Sequence, residues 1–134
     1  MPLALYSAWL SMHRVSGRVL RRIGLTLPQY LVMQELAQYP AMTVSQIGES
    51  LYLDSATLSP LLKRMEQCGL LSRKRSMADE RVMLIALTPD GFKLLDDAEA
   101  AVEQIIDAAG SAGEGSEHLV NCLNTLRNTL LDLD

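Results

Sequence analysis

The chain has 134 residues, 49% of them apolar and 21% charged, which fits one domain with one modest core and argues against disorder. No apolar run reaches the roughly 18 residues of a membrane span. The first basic residues follow the apolar N-terminal stretch, and two cysteines are too few for a disulfide framework, so a cytoplasmic protein without a membrane partner is expected.

Residues 1–22 carry Arg14, Arg18, Arg21 and Arg22 and no acid. Within them Leu5, Ala8, Met12, Val15 and Val19 recur at spacings of 3 and 4, one face of a helix. Gly24 can end that helix. Thr26 with Gln29 has capping-box spacing, and Pro28 falls in the first turn, so a second helix is expected from Leu27 to Tyr39, stopped by Pro40. Thr43 and Gln46 repeat the device for a helix of about two turns. Asp54 caps a third helix in quick succession, ending at Cys68 with Gly69 as a left-handed stop.

The pattern then changes. "LLSRKR" and "RVMLIALT" read as strands joined by "SMADER", a hairpin with a protruding tip. Thr88 caps another helix with Pro89 at its first position, followed by Leu95, Ala98, Val102, Ile105 and Ala109. "GSAGEGSE" reads as a flexible break, and Leu119, Leu123, Leu126, Leu130 and Leu133 stripe a final helix. The whole describes a mainly α protein with a small β-hairpin. A winged helix-turn-helix over residues 27–88 sits in a single domain, 1–134, with long terminal helices at 1–24 and 89–134. Their heptad-like stripes suit packing against a second copy; the alternative is that they fold back on their own domain.

The net charge of −4 speaks weakly against a nucleic-acid partner, but residues 88–134 hold ten acids against Lys93 and Arg127, leaving a basic face free to exist elsewhere. "LDSATLSPLLKRMEQCG" carries the functional signal. The second helix of a helix-turn-helix sets its N-terminal residues against base edges in the major groove. Ser55, Ala56, Thr57 and Ser59 are small enough for close approach, and the hydroxyls can donate or accept. Lys63 can reach a base or a phosphate, and Arg64 the DNA backbone, while Leu58, Leu61, Leu62 and Met65 form the buried face. Pro60 removes the hydrogen bond to the Ala56 carbonyl, a loss that the Thr57 and Ser59 hydroxyls or a kink could offset. The plainer reading is an exposed capped helix with a tolerated proline. In the hairpin, Arg73, Lys74 and Arg75 suit phosphate contact. Asp79 stands two residues before Arg81 and can hold that guanidinium extended for a narrow minor groove; otherwise the two form a surface ion pair of little consequence.

"DSATLSPLLKRMEQCGLLSRKRSMADERVMLIALTPDG" closely resembles the recognition helix and wing of the MarR family, with the wing signature Asp79-Glu80-Arg81 and the strand ending Leu87-Thr88. "LTLPQYLVMQEL" is similar to the family's second helix. "LALY", "LPQYL" and "LDSATLSPLLKRME" are similar to the organic-hydroperoxide-sensing branch. The resemblance implies a homodimer with interlocked terminal helices, each protomer offering a winged module to half of a palindromic operator in double-stranded DNA. It also implies repression that ends when an oxidant or small ligand changes the spacing of the modules. The reactive cysteine of that branch would stand where this chain has Pro2, and its tyrosines at two further positions are Ser16 and Leu27, while Tyr6 and Tyr30 match.

Tyr6, Trp9, Tyr30 and Met33 are candidates to line an effector pocket for a small aromatic ligand, or else to fill core. Cys68 and Cys122 are expected to pack; a helix C-terminus does not activate a thiol. His13 and His118 lie far apart, and neither a metal motif nor a Gly-rich phosphate loop is present, so no cofactor and no enzyme activity is expected. The competing class is a winged-helix protein-interaction module that does not bind DNA.

Overall fold

The computed structural model describes residues 1–110 and 114–134. Six helices and one hairpin follow in chain order: α1 (Pro2–Arg21), α2 (Leu27–Gln38), α3 (Val44–Leu51), α4 (Ser55–Gln67), β1 (Leu71–Arg75), β2 (Met83–Leu87), α5 (Pro89–Ala108) and α6 (Glu114–Asp132). Of the flexible break expected over residues 110–117, residues 111–113 lie outside the described residues, and residues 114–117 instead form the first turn of α6.

Local chemistry sets these boundaries. Thr26 and Thr43 each accept from the backbone N–H three residues on, and Gln29 and Gln46 reach back to the two threonine amides at 3.0 and 2.9 Å, so both capping boxes form. Gly24 and Gly69 take φ of 81° and 75°, the left-handed turns that release the chain from α1 and α4. Thr88 does two jobs with one hydroxyl. It accepts from Gly91 N to cap α5 and donates to Gly69 O at 2.6 Å, locking α5 to the end of α4.

The core is built by α2, the inner faces of α3 and α4, the base of the wing and the first half of α5. Val32, Met33, Leu36, Ile47, Leu58, Leu62, Met65 and Ile85 are fully or almost fully buried in it. The wing is antiparallel, pairing Leu71 with Leu87 and Arg75 with Met83. It is anchored from outside the hairpin, because Met42 exchanges two hydrogen bonds with Ile85, at 2.9 and 2.7 Å. That third edge segment ties the α2–α3 connection to the wing and has no sequence signature of its own.

The stripes of the long helices have different fates. Leu95, Ala98 and Val102 of α5 are consumed in the protomer's own core, so only part of the expected apolar seam remains open. On α1, Ser16 and Leu20 face inward while Leu5, Met12 and Val15 stay exposed. On α6, Leu119, Leu123 and Leu130 stay exposed, as does Leu133 just beyond its end. Apolar rows on two amphipathic helices are thus left facing water in the protomer.

Candidate nucleic-acid interface

Every residue expected to meet DNA from α4 is exposed: Ser55, Ala56, Thr57, Ser59, Lys63 and Arg64. Leu58, Leu62 and Met65 are 0–1% exposed and bind the helix to the core along its opposite face. Asp54 N-caps α4, accepting from Thr57 N at 2.7 Å, and this backbone donor holds its carboxyl below the ordinary carboxylate range.

Pro60 sits inside the helix on the exposed face, and α4 continues through it. The carbonyl it deprives of a donor belongs to exposed Ala56, so water can take the donor's place. The expected repair by the Thr57 and Ser59 hydroxyls is not found: the Thr57 hydroxyl is turned to the Asp54 carboxylate, and Ser59 makes no side-chain hydrogen bond among the described residues. The Ser59 hydroxyl therefore stays available to an outside partner.

The wing cations divide into held and free. Arg73 is turned inward: its Nε donates to Glu66 Oε2 of α4 at 2.7 Å, and its side chain is 28% exposed. It therefore joins wing to helix and is not a free phosphate contact. Arg75 Nη1 donates to the Glu80 carbonyl at 2.7 Å, bracing the tip, which Ser76 N closes by donating to Val82 O at 2.8 Å. Lys74 is exposed, and like Lys63 and Arg64 it makes no ion pair among the described residues. At the tip, Arg81 lays a two-pronged fork on Asp79, Nε to Oδ1 at 3.2 Å and Nη2 to Oδ2 at 3.3 Å, while its own backbone N–H donates to Oδ1 at 3.0 Å. These donors, the side chain first, hold the Asp79 carboxyl below its ordinary range. The Arg81 side chain is nonetheless 91% exposed, a guanidinium fixed in direction and open to solvent.

The four effector-pocket candidates are not brought together in the protomer. Met33 is 0% and Tyr30 5% exposed, both within the core, where Tyr30 Oη accepts from Gln34 Nε2 at 2.8 Å and burial raises the phenol pKa. Tyr6 and Trp9 lie out on α1, more than half exposed, with Trp9 stacked on His13. A fully buried side chain cannot wall an open pocket, so Met33 is core. The packing role expected of Cys68 is also corrected: as the residue ending α4 it is exposed, and Leu70 and Leu71 turn to the core in its place. Cys122 is exposed too, 3.6 Å from His118 Nε2.

Sequence reasoning missed Glu66, Met42, Tyr52 and Arg127. Glu66 carried a weak signal, an acid at the penultimate position of α4 ahead of a basic strand. The other three act through contacts distant in sequence, which periodicity does not report.

A profile of the MarR family matches residues 25–83. The chain is 43% identical over 126 residues to the organic hydroperoxide resistance transcriptional regulator of Bacillus subtilis (strain 168), covering 94% of this chain and 86% of that protein. It superposes with a TM-score of 0.81 on the structure of reduced AbfR bound to DNA, at 27% identity over 96% of this chain and 90% of that one. The transcriptional repressor CouR bound to a 23-mer DNA duplex has the same fold, with a TM-score of 0.83 at 23% identity over 97% of this chain and 92% of that one.

Proposed function

The chain belongs to the MarR family of DNA-binding transcriptional regulators, and from that premise we propose that it is a homodimeric repressor of a stress-response or detoxification operon, bound to a palindromic operator. One observation carries the reading. The hydroxyl-bearing first turn of α4 is exposed, with Thr57 turned to the capping Asp54, and it stands with a wing that ends in a braced, outward arginine. That set supplies base-edge donors, phosphate cations and a minor-groove probe within one protomer.

Two modules per operator require a dimer. The exposed rows Leu5, Met12 and Val15 on α1 and Leu119, Leu123 and Leu130 on α6 support one, since a single module gives them nothing to cover them. For release, the exposed Tyr6 and Trp9 rings offer stacking faces for a small aromatic effector, whereas Pro2 closes the hydroperoxide branch's thiol position to oxidation. An effector that favours the DNA-free form about 100-fold supplies roughly 2.7 kcal/mol of coupling.

Selection of duplexes from a random-sequence library by the purified protein tests this. Recovered duplexes are expected to be two-fold symmetric, to take one dimer each, and to silence a reporter when placed in its promoter. Recovery of no sequence above background rejects the proposal, and reporter activation rejects the repressor assignment.

A further inference from the structure

Arg127 is the lone base between Lys93 and the end of the chain, in a stretch rich in carboxylates. A guanidinium there has many acids to choose from, yet it makes no ion pair among the described residues. Its Nη1 donates to Asn124 Oδ1 at 2.8 Å, and Nε and Nη2 donate to Asn128 Oδ1 at 3.2 and 3.0 Å. These two asparagines, on its own helix, fix the plane of the guanidinium. Its face then lies over the Tyr52 ring, 4.6 Å from the centroid, well within cation–π range.

Tyr52 occupies an unusual position. It ends α3 with φ 57° and ψ 37°, and among the described residues it is the one non-glycine residue with positive φ. A β-carbon is disfavoured in that region, so such a residue persists where its surroundings over-determine it. Two neighbours do so. Leu53 N donates to Gly48 O at 3.0 Å, closing the turn, and Arg127 Cζ lies over the ring, which stays 57% exposed. The residue after next is Asp54, the cap of the recognition helix. The turn at Tyr52 therefore sets the direction in which α4 leaves α3, and a side chain from the last helix is laid on it.

We infer that Arg127 is a positioning residue for DNA recognition: by stacking on Tyr52 it holds the left-handed turn that aims α4, without itself touching DNA. The inference rests on the DNA-reading role proposed above. It also gives α6, an element with an exposed apolar row, a direct mechanical link to the reading head. Displacing α6 pulls on the turn ahead of Asp54.

The test uses the full chain and a duplex recovered by the unaltered protein from a random library. Failure to recover any duplex counts against the DNA-reading role itself; the outcomes below bear on Arg127 alone. Arg127→Gln and Tyr52→Leu are each expected to weaken binding of the recovered duplex about five- to twenty-fold, two stacks being lost per dimer. Tyr52→Phe, which keeps the ring, is expected to bind as the unaltered protein does. The double variant Arg127→Gln, Tyr52→Leu should be no weaker than the worse single variant. The slope of log K against log salt should be unchanged, and sedimentation should still give a dimer. A shallower slope for Arg127→Gln would make it a phosphate contact and overturn the inference. So would additive losses in the double variant, loss of the dimer in Arg127→Gln, or unchanged affinity in both single variants.

Discussion

Arg73 of β1 and Glu66 of α4 are joined Nε to Oε2 at 2.7 Å, a side-chain link between the first wing strand and α4. The pair sets Arg73, held by a carboxylate, apart from Lys63, which makes no ion pair among the described residues. Lys63→Ala is expected to weaken binding to every duplex and to flatten the log K–log salt slope by about one unit per protomer. Arg73→Ala should weaken the selected duplex while leaving the slope near its original value. Titrations between low and physiological salt read both; equal slope losses would place Arg73 on a phosphate.

The wing tip gives a prediction of unexpected sign. Asp79→Ala removes a negative charge from the surface proposed to meet DNA, so simple electrostatics predicts tighter binding. The fork on Arg81 predicts weaker binding to the selected duplex, because the guanidinium loses its direction. Mobility-shift titration at fixed salt decides between the two signs.

Two glycines should respond in opposite directions. A β-carbon on Gly48 would lie 2.8 Å from the Leu53 carbonyl oxygen, inside the turn that leads to α4, whereas one on Gly17 meets nothing within 4 Å. Gly48→Ala is expected to cost about 1–3 kcal/mol of stability. Gly17→Ala, one turn before the end of α1, should add about 0.5–1 kcal/mol. Urea denaturation of the three proteins checks the ordering.

The apolar seam predicts the behaviour of Leu126→Glu, Leu130→Glu. Two charges per protomer placed in that row should dissociate or unfold the protein, because a buried unpaired carboxylate is strongly unfavourable. Sedimentation at micromolar concentration reads the outcome, and a folded dimer with both glutamates would remove α6 from the interface.

Acid should loosen the reading head at a defined point. Asp54 and Asp79 both titrate below the ordinary carboxylate range, so their folded-state contributions are present above the unfolded value of about 3.9 and are lost as the pH falls through the lower folded values. Binding should therefore be indifferent to these two groups from pH 5 to 8. Asp54→Asn keeps a capping oxygen without a titrating proton, so its thermal midpoint should fall less than the unaltered protein's between pH 5 and 3. Parallel profiles would show that the cap does not carry the acid sensitivity.

The fold was legible in the sequence wherever a local rule set it. The boxes at Thr26 and Thr43, the stops at Gly24 and Gly69 and the caps at Asp54 and Thr88 are patterns of a few residues, and the structure forms each of them. The exposed face of α4 was equally readable, because its buried partners Leu58, Leu62 and Met65 recur at helical spacing. What was not readable is where side chains find partners far along the chain. Arg73 and Lys74 are adjacent cations of like composition, and only the fold turns one toward Glu66 and leaves the other exposed. Tyr30 and Trp9 are both aromatic helix residues, and only packing puts one at 5% and the other at 57% exposure.

Whether α4 and the wing read DNA sequence is decided by the ratio of affinities for the selected duplex and an unrelated duplex of equal length, at one physiological salt concentration, for the unaltered protein and for Lys63→Ala, Arg81→Ala. A preference of at least about 1,000-fold is expected for the unaltered protein, with a large loss of affinity for the selected duplex in the double variant. Equal affinity for both duplexes, or an unaffected double variant, would contradict sequence reading by this face.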